Sequence, residues 1–258
     1  MSEITLQQFE ELVNELEAGR VRVAEKIDGV WKVNREVKEI ILAGFRLGKI
    51  TDMSQGQFPF FDKDTYPVRK FSASDGVRIV PGGSSIRRGA YLAPGVIVMP
   101  PAYINVGAYV GEGTMVDSHV TIGSCAQVGR NIHISAATQI GGVLEPAGAL
   151  PTIIEDGAFV GGNCGIYEGT IVQEGAVIAS GVIITASTAI FDSTTGEFVP
   201  RNADGRVVVP RNAVVVSGSR PVTKGPGAEK GVHLYCPVIV KYRDEKTSGS
   251  VTLEDMLR

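Results

Sequence analysis

Aliphatic side chains fall on every sixth residue through the middle of the chain. Ile86, Leu92, Val98, Ile104, Val110, Val116, Ile122, Val128, Ile134 and Ile140 form an unbroken series, which resumes after one interruption at Ile154, Val160, Ile166, Val172, Ile178, Ile184 and Ile190. A helix repeats near 3.6 residues and a half-buried strand every 2, so neither accounts for a strict six. A solenoid of short parallel strands does. Each flat side uses one hexapeptide and turns one aliphatic side chain inward, and three sides close a triangular coil of about eighteen residues. The pattern predicts a mainly β protein whose central domain, 77–217, is a left-handed parallel β-helix.

Two stretches leave the repeat. Residues 141–152 carry Pro146, Pro151 and three glycines, which makes a regular strand there unfavourable. Residues 191–207 have the composition of a hairpin, after which Val209 and Val215 again stand six apart and predict a last partial coil. Loops expelled from a rigid repeat are common places for ligand and partner contacts.

The ends differ from the middle. Over 1–76 the spacing of Leu6, Phe9, Leu12, Val13 and Leu16 predicts a helix, with Thr5 and Gln8 as a capping box and Gly19 as its stop. A second helix is predicted through Val33, Val37, Ile40, Ile41 and Leu42, ending near Gly44 or Gly48, with an extended stretch between the two. An aromatic-rich connector (Phe58, Phe60, Phe61, Tyr66) leads into the solenoid. In the tail, 218–258, a flexible basic linker is predicted at 218–231. A strand follows over 237–242, and a short helix starts at Thr252 with Leu253, Met256 and Leu257 on one face. Solenoid ends need covers, so the helical head is expected over the first coil and the tail strand and helix over the last. A flat outer face of each coil is left to bury, for which three-fold assembly is a natural solution.

Composition narrows the function. The formal net charge of −3 argues against a general nucleic-acid binder. Three cysteines, Cys125, Cys164 and Cys236, show neither a disulfide framework nor zinc-ligand spacing. They fit a reducing compartment. With no secretory leader pattern and no apolar run of membrane-spanning length, a cytoplasmic protein is expected.

Within each hexapeptide the residue after the aliphatic one is usually small, as at Ala93, Gly111, Gly123, Gly129, Gly161 and Ala179. Asp117 breaks that rule in Thr-Met-Val-Asp-Ser-His. A carboxylate held on a rigid frame is a candidate general base, and a surface aspartate capping a turn is the plain alternative. His119 follows two residues later, on the same side of an extended segment; His133 precedes Ile134. Histidine is the commonest general base near neutrality. Arg78, flanked by Val77 and Ile79, offers a fork for a carboxylate, whereas Arg87 and Arg88 are better read as ion-pairing with the head. Glu145 and Glu168 are further acids beside loops, and Lys224 and Lys230 lie in the basic linker.

Several segments together resemble the tetrahydrodipicolinate N-succinyltransferases, hexapeptide-repeat transferases of lysine and diaminopimelate biosynthesis. They are Arg78 to Gly82, Gly107 to Ser118, Ile122 to Gly129, Ile140 to Pro146, Pro151 to Asp156, Val214 to Gly218 and Leu234 to Cys236. The resemblance implies a homotrimer with active sites between subunits and no tightly bound cofactor. It implies succinyl transfer from succinyl-CoA to a cyclic imine dicarboxylate, with Asp117 as base and Arg78 gripping a substrate carboxylate. His119 and Glu168 would be further substrate contacts. Gly162, Ala179 and Ser180 would line the groove for the CoA arm, and Lys224 would meet its phosphates. Two positions depart from the family pattern: Gly165 stands where many members have a glutamate, and His119 where a tryptophan is usual. The alternatives are a related acetyl-CoA-dependent N-acetyltransferase and, more distantly, a non-catalytic or zinc-binding β-helix using His119, His133 and His233.

Overall fold

A computed structural model describes residues 4–243. The expected helix around Leu253 lies outside the described residues. The solenoid is a left-handed parallel β-helix built from three faces of two-residue strands. The first face stacks Arg78–Ile79, Ile97–Val98, Met115–Val116, His133–Ile134, Phe159–Val160 and Val177–Ile178, and ends on Ala213–Val216. The second runs from Ser85–Ile86 through Thr121–Ile122, Gln139–Ile140 and Gly165–Ile166 to Ile183–Ile184. The third runs from Tyr91–Leu92 through Gln127–Val128 and Ile153–Ile154 to Val208–Val209. In every coil the second strand residue is the aliphatic one of the sixfold series, and these residues fill the triangular interior as one continuous core. Ile190 is the exception: it is buried, but outside a strand.

Between strands the chain turns three corners, and both excursions leave from the corner joining the second face to the third. Residues 141–152 depart after Gln139–Ile140 and return at Ile153–Ile154. The second departs after Ile183–Ile184, forms the antiparallel pair Phe191–Asp192 with Glu197–Phe198, and returns at Val208–Val209.

The head contains helices α1 (Leu6–Glu17) and α2 (Arg35–Leu47). The Thr5–Gln8 capping box starts α1, and Asn34 caps α2. Between them Ala24–Ile27 and Val30–Val33 pair as a hairpin. The end of the head reaches the first coil, where Val68 bridges Arg87 and Phe71 packs against the solenoid core. Its two helices instead lie along the side of the solenoid, at the same corner from which the excursions leave. The reason is apolar surface: corner residues Val106 and Cys125 join Phe9, Leu12, Val13, Leu16, Val23, Val37 and Ile41 in one buried cluster. The hairpin adds Ala24, packed on Leu150, Ile153 and Ile171 of the third face and its excursion. Arg87 and Arg88 pair with Asp62 and Glu10 of the head, as their position suggested.

The tail does close the last coil. Val238–Tyr242 pairs antiparallel with Ala213–Val216 and parallel with Phe191–Asp192. The stretch read as a flexible linker is instead a hairpin of Ser219–Pro221 with His233–Tyr235, and its loop contains a short helical turn. It is tied to the solenoid where the second face runs out of coils: the Ile183 N–H, which has no next strand to bond, donates to Tyr235 Oη at 2.7 Å.

Candidate active site

The corner joining the first face to the second gathers most of the singled-out residues. Its rungs, in coil order, are Met99 to Ala102, Asp117 to Val120, Ser135 to Thr138, Gly161 to Cys164 and Ala179 to Val182. Asp117, His119, Gly162, Ala179 and Ser180 therefore occupy one column. The strand bearing Met115 stops at Val116, so Asp117 and His119 belong to a turn and not, as the alternation implied, to one side of a strand. His119 takes the left-handed conformation at φ 62° and donates its N–H to Pro101 O at 2.6 Å.

Asp117 is held at both ends. Its backbone N–H donates to Ile134 O at 3.0 Å, within the ladder. Its Oδ1 accepts the Ser118 N–H at 2.7 Å, and Oδ2 lies 3.8 Å from His133 Nε2. The side chain is 31% exposed. That is the placement a base needs: anchored by the frame, yet reachable.

The next rungs of the column are backbone-lined. A Cβ placed on Gly161 would lie 2.5 Å from Ser180 N and 2.9 Å from Ala179 C, so only glycine lets these coils approach. With Gly162 above Ala136 and Ala179 buried, the column beyond Asp117 is a shallow track of small residues. Among the described residues, no group of His, Cys, Asp or Glu gathers as a metal site. His233 stands apart on the tail hairpin, its Nδ1 3.2 Å from Ser219 Oγ.

The other predicted residues lie elsewhere. Arg78 is exposed on the outermost strand of the first face, in register with Ile97 and so two strands from Met115. Glu168 is on a different corner, that between the second and third faces, where its Oε2 accepts the Ala186 N–H at 2.9 Å. Lys224 is exposed in the loop of the tail hairpin. At Gly165 the space a side chain would need is taken by the Tyr167 ring, whose nearest atom would be 2.5 Å from an added Cβ. The Tyr167 hydroxyl donates to Gln139 Oε1 at 2.8 Å.

Sequence reasoning gave His133 little weight, although it stands beside Asp117, with Nε2 3.8 Å from Asp117 Oδ2. The signal was available in the coil length: His133 lies one turn beyond Met115 and pairs with it in register.

The sixfold repeat and its β-helix make this a hexapeptide-repeat protein, and its relatives make it an acyltransferase of that kind. Residues 1–47 match the family described as tetrahydrodipicolinate N-succinyltransferase N-terminal, and 151–186 the hexapeptide repeat of succinyl-transferase. A 2,3,4,5-tetrahydropyridine-2,6-dicarboxylate N-succinyltransferase from Pectobacterium atrosepticum is 45% identical over 99% of this chain and 90% of its own length. One from Pasteurella multocida is 44% identical over 97% of this chain and 88% of its own. The chain belongs to the 2,3,4,5-tetrahydropyridine-2,6-dicarboxylate N-succinyltransferase family. A crystal structure from Campylobacter jejuni, named as a 2,3,4,5-tetrahydropyridine-2-carboxylate N-succinyltransferase, shares the fold. It aligns with a TM-score of 0.59 at 16% identity, over 92% of this chain and 63% of that one.

Proposed function

We propose that this protein transfers the succinyl group of succinyl-CoA to the nitrogen of tetrahydropyridine-2,6-dicarboxylate, whose ring opens in the reaction, on the route to diaminopimelate and lysine. The observation that carries the reading is near-full-length identity of 45% to a relative of that name, joined to a corner that holds Asp117 at the head of a track of small residues. Water adds across the ring C=N bond, so that the nitrogen carries a hydrogen and the neighbouring carbon a hydroxyl. Asp117 Oδ2 accepts the nitrogen's proton as that nitrogen attacks the thioester carbonyl. The ring opens as the hydroxyl proton passes to the amide nitrogen and the carbon becomes a ketone. A C–N bond forms, the C–S bond breaks, and CoA leaves as the thiol after taking up a proton.

The small rungs at Gly162, Ala179 and Ser180 are the wall along which the pantetheine arm lies, and Lys224 is the cation for its phosphates. Arg78, exposed at the far end of the first face, suits a substrate carboxylate. On a single chain Arg78, Glu168 and the Asp117 corner do not converge. A site completed by a neighbouring copy, in a homotrimer, accounts for that separation.

The test is the mass of the product formed from tetrahydropyridine-2,6-dicarboxylate with succinyl-CoA and with acetyl-CoA, side by side. The succinyl adduct is expected to dominate. Formation of the acetyl adduct alone would keep the chemistry and overturn the donor, and the absence of both would overturn the reading.

A further inference from the structure

One polar group beside Asp117 has no task in this reaction as drawn. The His133 ring stands on the strand next to Met115 and packs edge-on against Phe159 on its other side, ring centroids 5.3 Å apart. Its Nε2 is buried and makes no hydrogen bond, although the side chain as a whole is 42% exposed. Buried polar atoms without partners are rare, and each calls for an explanation. Here the nearest charged atom is Asp117 Oδ2 at 3.8 Å, while Oδ1 is engaged by the Ser118 N–H.

A separation of 3.8 Å is beyond hydrogen-bond reach, so a small turn of either side chain must bring the two together before they bond. In the imidazole tautomer with its hydrogen on Nδ1, Nε2 presents a lone pair to a carboxylate lone pair, and nothing bonds until a proton arrives. We propose that His133 is that proton's next stop. The substrate nitrogen releases its proton to Asp117 Oδ2, and the O–H so formed bonds to Nε2 and passes the proton on. This restores the carboxylate beside an imidazolium, which loses a proton to solvent from Nδ1. Exchange with solvent at the two ring nitrogens then moves the remaining hydrogen from Nε2 back to Nδ1 before the next turnover. His133 acts through Asp117 and touches neither donor nor acceptor, so it is a positioning residue. The proposal rests on the assignment of Asp117 as the base.

Few other charges bear on this pair. The flanking strands bring Met115 and Phe159, which do not titrate. His119 lies in the turn after Asp117, and Arg78 is two strands beyond Met115 on the same face.

His133→Gln keeps a polar side chain of similar reach without a basic nitrogen, and His133→Ala opens a space for free imidazole. Both are compared with Asp117→Asn in the full-length protein. His133→Gln is expected to lower kcat roughly 10- to 100-fold with little change in KM, and to remove one ionisation from the acid side of the kcat profile. Added imidazole is expected to raise turnover of His133→Ala several-fold and to leave Asp117→Asn unchanged. An unaltered kcat and pH profile in His133→Gln, with Asp117→Asn inactive, overturns the relay and leaves the base in place. Loss of kcat without a change of profile or imidazole rescue assigns His133 a structural role and likewise overturns it. Full activity in Asp117→Asn removes the base itself, and the relay with it.

Discussion

At the scale of single residues, the corner is governed by how closely successive coils approach. Gly161 is the clearest case, because the atoms that would meet an added Cβ are backbone: Ser180 N at 2.5 Å, Ala179 C at 2.9 Å and Ile178 O at 2.9 Å. Backbone in a ladder cannot swing aside as a side chain can. Gly161→Ala is therefore expected to cost about 1–3 kcal/mol, read as a lower thermal midpoint. An unchanged midpoint would mean that the coils part without strain. Gly165 is a different case, since its neighbour is the Tyr167 ring, held by Gln139. The space beside Gly165 is filled by an aromatic ring and an amide, and Glu168, the nearest carboxylate in sequence, belongs to another corner and bonds Ala186. Asp117 and His133, 3.8 Å apart, are thus the pair proposed for acid–base work on this corner.

At the scale of elements, two attachments decide how the additions hold to the solenoid. Lys38 of α2 is fully buried, and its amine donates to Pro146 O at 3.1 Å and Ala149 O at 2.8 Å, tying the head to the 141–152 excursion. Burial pushes its pKa down, as expected for a desolvated ammonium. The tail strand is fixed by Tyr242, whose hydroxyl donates to Asp192 Oδ2 at 2.7 Å. Burial alone would raise the Asp192 pKa, but hydrogen bonds from Tyr242 and from Thr194 and Thr195 outweigh it, and the carboxyl lies below its ordinary value. Burial, with the adjoining carboxylate, pushes Tyr242 up to about 12.

Both shifts have a readable sign. A depressed Asp192 adds stability that is complete above the unfolded value of about 4 and is lost as pH falls through the lower folded one. A raised Tyr242 adds stability that is complete below about 10 and is lost as pH climbs towards the folded value. Tyr242→Phe is expected to lower the thermal midpoint at neutral pH and to flatten both limbs of its pH dependence. Limbs identical to those of the unaltered protein would show that this contact does not hold the tail.

At the scale of the whole molecule, the repeat was legible because a strict period of six leaves each coil a single choice of inward residue, and those residues form the observed core. The α1 capping box was legible for a similar local reason: Thr5 and Gln8 satisfy each other's backbone groups. The position of the head's helices was not legible. It depends on Val106 and Cys125, corner residues outside the sixfold series, being apolar and open to α1 and α2. Nor was the tail hairpin, whose docking answers an unpaired Ile183 N–H that exists only because the second face ends there. The candidate site was half legible. Asp117 stood out because it breaks the small-residue rule, whereas His133 becomes its neighbour only when the coils are stacked.

The most direct measurement is CoA release by purified protein supplied with succinyl-CoA and tetrahydropyridine-2,6-dicarboxylate, with Asp117→Asn run alongside. The account predicts steady release that depends on the dicarboxylate, and a loss of at least ~100-fold in the variant, with its thermal midpoint retained. Release that is independent of the dicarboxylate, or equal in the two proteins, would contradict it.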